Sequence, residues 1–356
     1  MIDLDDLSLL EKIDSENVLG AVERFSEQCA AGWDTGRAAT NLPDASGVES
    51  IVVLGMGGSG VSGDVTQAVV EPRLPVPFRT IKGYGPLPEW IGRNTLVFAV
   101  SYSGSTEETV AALQEAHDRG ARAITISSGG PLREMAEAYA LAHIAIPTGL
   151  QPRASLGYLT MPVLAALVEV GLIPDLDDDV DETISVLADI QARSHRSRTK
   201  EENPAKDMAF RIHGNVPIVY GGQGLGSVAA YRFKCDLNEY GKTPAFWNEL
   251  PELDHNEIVG WNRLDELTTS KFLGIMLRDS EEHERVALRF EITRSLIENN
   301  LGSVIELRSE GRSSLARVMS LILVTQLAAI YVGLAYEVDP GPVEAIKKLK
   351  DQLANR

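Results

Sequence analysis

Short apolar runs alternate with helix-type patterns over two stretches of this chain. In the first stretch the apolar runs predict strands at residues 51–54, 78–81, 95–100, 123–126 and 143–146. The second stretch predicts strands at 216–220, 271–277 and 303–307, and helices at 281–299 and 314–336. Continuous apolar runs are typical of parallel strands covered on both faces by helices. The pattern therefore predicts an α/β fold with two mainly parallel sheets flanked by helices.

A glycine-rich turn follows the first strand of each stretch. Residues 55–60 follow the strand at 51–54, and residues 221–226 follow the strand at 216–220. Both turns lead directly into a predicted helix. Their equivalent positions indicate an internal duplication of one α/β unit, although the two sequences match only loosely.

The remaining segments complete a domain prediction. We assign N-terminal helices to 1–42, a first domain to 43–173, a linker helix region to 174–206, and a second domain with a C-terminal helix to 207–356. Within the linker region, residues 175–179 are predicted as an acidic loop. The basic, polar run from Arg193 to Lys200 is predicted as a solvated helix face.

Composition narrows the range of partners. The 356 residues are 44% hydrophobic and 24% charged, which is ordinary for a soluble globular protein. The formal net charge is −18, so the surface repels nucleic acid and anionic membranes, and we exclude both as main partners. Residues 318–336 are apolar enough to resemble a membrane span, but a buried helix fits the composition better.

Cysteine usage and the N-terminal sequence add two further expectations. Cys29 and Cys235 are the two cysteines of the chain, which makes a disulfide or zinc framework unlikely. The acidic start of the sequence has no signal-peptide pattern, so we expect a cytoplasmic protein.

Gly55, Gly57 and Gly60 match the G-x-G-x-x-G pattern of dinucleotide-binding proteins. That site also needs an acidic residue about twenty positions later, at the end of the second strand. The nearest candidate, Glu71, precedes Pro72 in a predicted loop. We therefore expect no nicotinamide cofactor, and we interpret the glycines as a place where backbone amides approach another ligand.

Four hydroxyl groups crowd the junction between the third strand and its helix. They belong to Ser101, Ser103, Ser105 and Thr106. Together with the N–H groups and partial positive charge of a helix N-terminus, they predict a pocket for a phosphate dianion. The alternative is a capping box of Ser105 and Glu108, but a cap uses one hydroxyl and leaves three unexplained.

A carboxylate and an imidazole, Glu239 and His255, bound a segment rich in helix breakers and aromatic residues. A helix cannot continue through its prolines, so we predict a folded loop anchored by Phe246 and Trp247. Glutamate and histidine on one ordered loop are suited to proton transfer. The alternative is an acidic surface loop with one solvated histidine.

These motifs resemble a known family. The segments Gly57-Gly58-Ser59, 101–106 and 237–239 are similar to the signature of SIS (sugar isomerase) domains. The segment 251–257, with its His-Asn-Glu sequence, resembles the bifunctional phosphoglucose/phosphomannose isomerases. The resemblance covers nearly the whole chain and implies two tandem SIS domains followed by a C-terminal helix.

The resemblance also implies roles for individual residues. It places phosphate or substrate binding on Gly57, Gly58, Ser59, Ser101, Ser103 and Thr106. Glu239 becomes the base that moves a proton between C1 and C2, and His255 opens the sugar ring. Arg153 stabilises the enediolate, and a lysine near the C-terminus assists at the ring oxygen. That lysine is Lys350, with Lys347 as the second candidate one helical turn away.

The implied enzyme interconverts glucose 6-phosphate, and mannose 6-phosphate as well, with fructose 6-phosphate through a cis-enediol. It needs no metal and no cofactor, and it is a homodimer in which His255 comes from the neighbouring subunit. Gly341 stands in a stretch where relatives often have a threonine, which weakens the expectation for mannose 6-phosphate. Two alternatives are a SIS-domain regulator that binds a phosphosugar without chemistry, and an amino-sugar phosphate isomerase or etherase.

Overall fold

Residues 2–354 are described by a computed structural model, and their contacts divide the chain into two compact units. The first unit comprises Arg24–Asp189 and Ser309–Ser320. The second unit comprises the residues up to Glu23, Ile190–Arg308 and the chain from Leu321 onward. Each unit contains one parallel sheet, which confirms the predicted fold class.

The elements follow one another in the alternating order that the apolar pattern predicted. The strands are β1 (Ser50–Leu54), β2 (Phe78–Ile81), β3 (Thr95–Val100), β4 (Arg122–Ser127), β5 (Ala142–Ala145), β6 (Val216–Gly222), β7 (Phe246–Leu250), β8 (Phe272–Arg278) and β9 (Ser303–Arg308). The helices are α1 (Leu7–Ile13), α2 (Val18–Val22), α3 (Phe25–Arg37), α4 (Gly57–Val70), α5 (Glu107–Asp118), α6 (Gly130–Tyr139), α7 (Leu156–Glu169), α8 (Asp177–Ser194), α9 (Pro204–Ile212), α10 (Leu225–Glu239), α11 (Glu257–Gly260), α12 (Asp265–Lys271), α13 (Glu284–Ile297), α14 (Ser314–Ala335) and α15 (Glu344–Ala354). Short 3-10 turns lie at Glu71–Arg73, Pro152–Ala154, Glu252–His255 and Glu298–Asn300.

The sheet of the first unit has the strand order β2-β1-β3-β4-β5, and all its pairs are parallel. Every residue of β1 and of β3 is buried, because helices cover both faces. The order reverses direction between β1 and β3, so the loops after these two strands begin at neighbouring points of one sheet edge. Such a reversal point is where open α/β sheets bind their ligands.

The sheet of the second unit has the order β7-β6-β8-β9 and is also parallel throughout. In this order β6 takes the place of β1, β7 that of β2, and β8 that of β3. The two glycine turns therefore follow equivalent strands, which supports the predicted duplication. A core of buried residues that includes Tyr220, Leu250, Leu253 and Phe290 packs against this sheet.

Strand β7 corrects the prediction of an irregular loop between Glu239 and His255. It pairs with β6 along the edge of the sheet, from Ile218 beside Phe246 to Gly222 beside Leu250. Edge strands are half-solvated and mix polar with apolar residues, so the apolar pattern did not reveal this one. Phe246 is 55% exposed and is not the anchor we predicted, whereas Trp247 packs edge-on against Tyr231.

The linker region needs two further corrections. Helix α8 already begins at Asp177, so Asp177, Asp178 and Asp179 form its first turn instead of a loop. Carboxylates are stabilised there by the positive end of the helix dipole. The run after Arg193 is not a solvated helix face, because α8 ends at Ser194 and the Arg196 guanidinium forms an ion pair with Glu23 at 2.7 Å.

A buried lysine fastens the N-terminal residues to the second unit. Lys206 in α9 has no exposed side-chain surface, and its ammonium donates to Asp5 Oδ1 at 2.8 Å. The ammonium also donates to the carbonyl oxygens of Arg196 and Arg198 at 2.9 and 2.8 Å. A buried cation needs this complete set of acceptors, so the arrangement ties three separate segments together.

Helix α14 is the apolar segment that resembled a membrane span. An 18-residue window of Ser314–Ala335 has a mean hydropathy of 2.1, and that whole window is buried inside the protein. The helix therefore has the character of a core helix, as its composition suggested.

Candidate functional site

The hydroxyl groups of the β3–α5 loop lie together in the first unit. Ser101 follows β3 and is buried, and its Oγ lies 2.8 Å from Thr106 Oγ1. Ser103 and Ser105 are exposed, with their Oγ atoms 3.0 Å apart. Ser59, in the first turn of α4, accepts a hydrogen bond from the Tyr102 N–H at 3.3 Å. The structure thus brings the predicted phosphate-binding residues of both loops to one place.

The capping-box alternative for Ser105 is wrong. Helix α5 begins at Glu107, its N-cap residue is Thr106, and no side chain caps it there. The Thr106 hydroxyl lies beside Ser101 instead. The helix N-terminus therefore has no side-chain cap, and its N–H groups suit an anion even though Glu107 and Glu108 lie in its first turn.

The shape of this loop depends on glycine and on Tyr102. Gly104 has φ +70°, and a Cβ atom there would come within 1.7 Å of the Gly129 carbonyl oxygen, so another side chain would disrupt the turn. The Tyr102 carbonyl accepts from Ser128 Oγ at 2.7 Å, and its phenol oxygen accepts from the Leu150 N–H at 2.8 Å. Sequence reasoning missed Tyr102, whose contacts join residues far apart in the chain.

Arg153 is buried, with 4% of its surface exposed, which argues against a surface residue. It lies in the 3-10 turn Pro152–Ala154, and this turn packs against α4, the helix that carries Ser59. Its Nη1 donates to Gln151 Oε1 at 3.4 Å. A buried guanidinium on a turn that packs against α4 is suited to stabilising an anion.

Glu239 is the last residue of α10, in the second unit, and is half-buried. We predicted a loop position, so the location is corrected to a helix C-terminus. Its carbonyl oxygen accepts from the Lys242 ammonium, which also donates to the Pro342 carbonyl at 2.6 Å. Lys242 thus ties the end of α10 to the segment before α15. Sequence reasoning missed this role of Lys242, although a lysine just after the end of a helix is a known sign of such a contact.

His255 ends the 3-10 turn Glu252–His255 in the second unit, and its side chain is exposed. Its neighbours in sequence are held firmly: Asp254 accepts hydrogen bonds from α13, and Glu257 accepts them from β6 and β7. These contacts hold the turn in place, while the exposed side chain of His255 agrees with the solvated histidine of the alternative, so its role in proton transfer stays a prediction. Glu249 likewise accepts a hydrogen bond from Ser227 Oγ.

Lys347 and Lys350 both lie on α15 in the second unit, and both are exposed. The helix presents Ile346, Leu349 and Leu353 as exposed apolar residues as well. Nothing in these positions distinguishes the two lysines, so the choice of Lys350 stays a prediction. The two cysteines are free, and among residues 2–354 no group of three His, Cys, Asp or Glu side chains is arranged to hold a metal ion.

Family models match both halves of the chain. Residues 46–170 match the SIS domain, and residues 201–353 match the bacterial phospho-glucose isomerase C-terminal SIS domain.

Characterised relatives cover most of the chain. A bifunctional phosphoglucose/phosphomannose isomerase of Caldicellulosiruptor bescii is 38% identical over 94% of this chain and 98% of its own length. An Aquifex aeolicus protein of the same name is 34% identical over 87% of this chain and 92% of its own. A D-glucosamine-6-phosphate 4-epimerase of Sulfolobus acidocaldarius is 29% identical over 88% and 92%.

The fold is also similar to solved structures. A glucose-6-phosphate isomerase-like protein from Thermus thermophilus superimposes with a TM-score of 0.64 at 18% identity, covering 96% of this chain and 99% of that one. At this level of identity the likeness supports the fold alone.

Proposed function

Because this chain belongs to the bifunctional phosphoglucose/phosphomannose isomerase family, we propose that it interconverts glucose 6-phosphate and mannose 6-phosphate with fructose 6-phosphate. The observation that carries the proposal is the hydroxyl loop at the start of α5, where Ser101, Thr106 and Ser59 lie together beside an uncapped helix N-terminus. This arrangement suits a phosphate dianion, which all three sugar phosphates carry.

Binding of the phosphate group anchors the substrate in the site. Ser59, Ser101, Ser103 and Thr106 donate hydroxyl hydrogen bonds, while the backbone at Gly57 and Gly58 lets the anion approach the start of α4. Hydrogen bonds to a charged group contribute about 1.5–3 kcal/mol each. This binding energy, remote from the reacting carbons, positions C1 and C2 for proton transfer.

Glu239 then acts as the single base. Its carboxylate removes the proton from C2 of the open-chain aldose, and the carbonyl oxygen at C1 is protonated to give a cis-enediol. Return of the same proton to C1, with loss of the O2 proton, forms the ketose. The aldose and ketose have equal oxidation states overall, so the step needs no nicotinamide, and a carboxylate base held in reach can carry it out without a metal.

The remaining residues act before and during this step. His255 protonates the ring oxygen while the O1 proton is removed, which opens the closed sugar, and Lys350 assists at the same oxygen. Arg153 stabilises the negative charge of the enediolate with the positive charge and N–H donors of its guanidinium. Lys347 is the alternative if Lys350 proves dispensable.

A substrate panel tests the proposal. Glucose, mannose and glucosamine 6-phosphates are each incubated with the protein, with and without a chelator, and ketose formation is measured by a coupled assay. We expect glucose 6-phosphate to be converted, and Glu239→Gln to lower kcat by about 10² to 10⁴-fold. Glu298→Gln, an exposed helix carboxylate, is the control. A protein inactive on every phosphohexose would contradict the proposal and favour a phosphosugar-binding regulator.

An amino-sugar phosphate is the second candidate substrate. It is favoured by the similarity to the Sulfolobus acidocaldarius epimerase, whose name gives glucosamine 6-phosphate as its substrate. The glucosamine 6-phosphate arm of the panel, analysed for a C4 epimer as well as a ketose, decides between the two.

We also propose a cytoplasmic homodimer in which His255 serves the neighbouring subunit. An exposed histidine on a firmly held turn supports this, and the free cysteines suit a reducing compartment. Mixing inactive Glu239→Gln and His255→Ala chains tests the sharing. Random re-pairing restores about a quarter of the wild-type activity if each site draws on both chains of a two-fold dimer. No recovery would place both residues in one chain's site.

A further inference from the structure

Ring opening needs the imidazole of His255 at a defined position, but an exposed side chain on a mobile backbone would occupy many positions. The turn that carries His255 restrains its backbone. Leu253, two residues earlier, is fully buried in the core of the second unit with Tyr220 and Leu250. The turn is therefore seated on the sheet through Leu253, while His255 itself is exposed.

On one side of His255, Asp254 is held by helix α13. Its Oδ2 accepts from Arg289 Nη1 at 2.7 Å, and its Oδ1 accepts from Thr293 Oγ1 at 2.7 Å. Only 10% of the Asp254 side chain is exposed. Both carboxylate oxygens are thus engaged in charge-assisted or hydroxyl hydrogen bonds with one rigid helix, which fixes the backbone directly before the histidine.

On the other side, Glu257 is held by the two strands beneath it. Its Oε1 accepts from the Tyr220 phenol at 2.5 Å, and its Oε2 accepts from Asn248 Nδ2 at 2.7 Å. The Tyr220 oxygen in turn accepts from Trp261 Nε1 at 2.9 Å. Burial and the Glu257 carboxylate raise the pKa of Tyr220, so the phenol stays protonated and keeps donating.

Asn256 completes the connection between these anchors and His255. Its Oδ1 caps α11 by accepting from the Glu257 N–H at 2.6 Å, and its Nδ2 donates to Glu252 Oε1 at 2.9 Å. The backbone on both sides of the histidine is therefore restrained by side chains from β6, β7 and α13.

We infer that Asp254 and Glu257, held by Arg289 and Tyr220, are positioning residues that fix the backbone carrying His255 and so place its imidazole for opening the sugar ring. We call these four residues the His255 clamp. The inference rests on the proposed isomerase function and adds to it the four residues that hold His255 in position. A displacement of about 1 Å can cost a catalytic group roughly 100-fold in rate, so loss of the clamp should lower the rate even though His255 is still present.

Tyr220→Phe and Glu257→Gln are the test variants, and each preserves the size of its side chain. The readouts are kcat and KM for glucose 6-phosphate, and the exchange between its α and β anomers followed by NMR. We expect kcat and anomer exchange to fall at least tenfold, with KM changed by less than threefold. Binding of glucitol 6-phosphate, which has no carbonyl to react, should stay within twofold and shows that the phosphate pocket is intact. Glu298→Gln is again the matched control.

The decisive comparison repeats Tyr220→Phe in a His255→Ala background. A residue that acts through the histidine adds less than a twofold further loss there, whereas a general structural defect adds its full effect. Variants within twofold of wild type, or a full additional loss in the His255→Ala background, would overturn the inference alone. A wild-type protein without isomerase activity would overturn the proposed function with it. If Tyr220→Phe does not fold, Glu257→Gln and Arg289→Met take its place in the same double-variant test.

Discussion

The loops after β3 and β8 occupy equivalent places in the two sheets, yet their chemistry is opposite. The loop after β3 offers four hydroxyls and no charged side chain between Ser101 and Thr106. Strand β8 ends in the buried Arg278, and the loop that follows it contains Asp279, Glu281 and Glu282. Arg278 is surrounded by three carboxylates: Glu282, Glu291 at 2.9 Å and Glu306 at 3.5 Å.

This difference is the reason why we propose phosphate binding at one sheet edge of the duplicated scaffold and not at the other. In the first unit, hydroxyls and an uncapped helix leave hydrogen-bond donors for a ligand. In the second unit, the protein's own carboxylates satisfy the cation and surround it with negative charge. Similar topology therefore does not imply a second binding site, because the side chains at the strand ends decide.

Removing the positive charge of Arg278, at the end of β8 in the second unit, should have the largest effect. Arg278→Met leaves Glu282, whose side chain is 8% exposed, without its partner, and we expect a loss of about 3–5 kcal/mol in the free energy of unfolding. Urea unfolding measures it, with Arg294→Met, an exposed arginine, as the control. KM for glucose 6-phosphate should stay the same, and a raised KM with unchanged stability would show that the second edge binds substrate.

A negative charge placed in the loop after β3, like those in the loop after β8, should have the next largest effect. Ser103→Asp places a carboxylate where we propose that the phosphate binds, and we expect KM to rise about 100-fold through repulsion and the lost hydrogen bond. Ser103→Ala, which only removes the hydrogen bond, should raise KM less.

The same change in the other loop provides the control. Ser280→Asp, after β8, should leave KM unchanged, because that edge is already acidic. Equal effects of Ser103→Asp and Ser280→Asp would contradict the contrast between the two loops.

The smallest expected effect concerns the start of α14, where Glu182 accepts hydrogen bonds from the N–H groups of Arg312 and Ser313. Burial raises the pKa of Glu182, but hydrogen bonds from the N–H groups of Ser313 and Arg312 before α14 outweigh it and lower the pKa to about 2. This carboxylate thus stabilises the fold above its ordinary pKa of 4.5, and the contribution is lost as the pH falls from 4.5 toward 2.

Glu182→Gln should therefore lower stability at pH 7 by about 1 kcal/mol, as other helix caps do, and much less at pH 2.5. Thermal unfolding at the two pH values measures the difference. A deficit that does not depend on pH would mean that Glu182 contributes through packing and not through its charge.

The sequence was most informative where structure depends on neighbouring residues. The strands that form the sheet centres could be predicted because burial on both faces makes them continuous apolar runs. The hydroxyl loop and the first glycine turn were predicted at strand-to-helix junctions and are found there, and ligand binding at these junctions stays a prediction. The local pattern suggested proton transfer by Glu239 and His255, and the resemblance to the isomerase family supplied the specific role proposed for each residue.

Features that depend on distant residues could not be predicted. Strand β7 is an edge strand with mixed polarity, and Phe246 on it is exposed although its size suggested an anchor. The burial of Arg153 depends on how its turn packs against α4. The bond between Tyr220 and Glu257 joins positions 37 residues apart, so it required the fold itself.

The anchoring of Lys206 has a practical consequence for anyone who shortens this protein. A version that starts after Asp5 would remove the only carboxylate seen to bind that ammonium in residues 2–354, while the lysine stays sealed inside. Deleting a handful of leading residues, a routine step when crystals or higher yields are sought, should then compromise the half of the molecule that carries Glu239. Affinity tags are therefore better attached without any trimming ahead of α1.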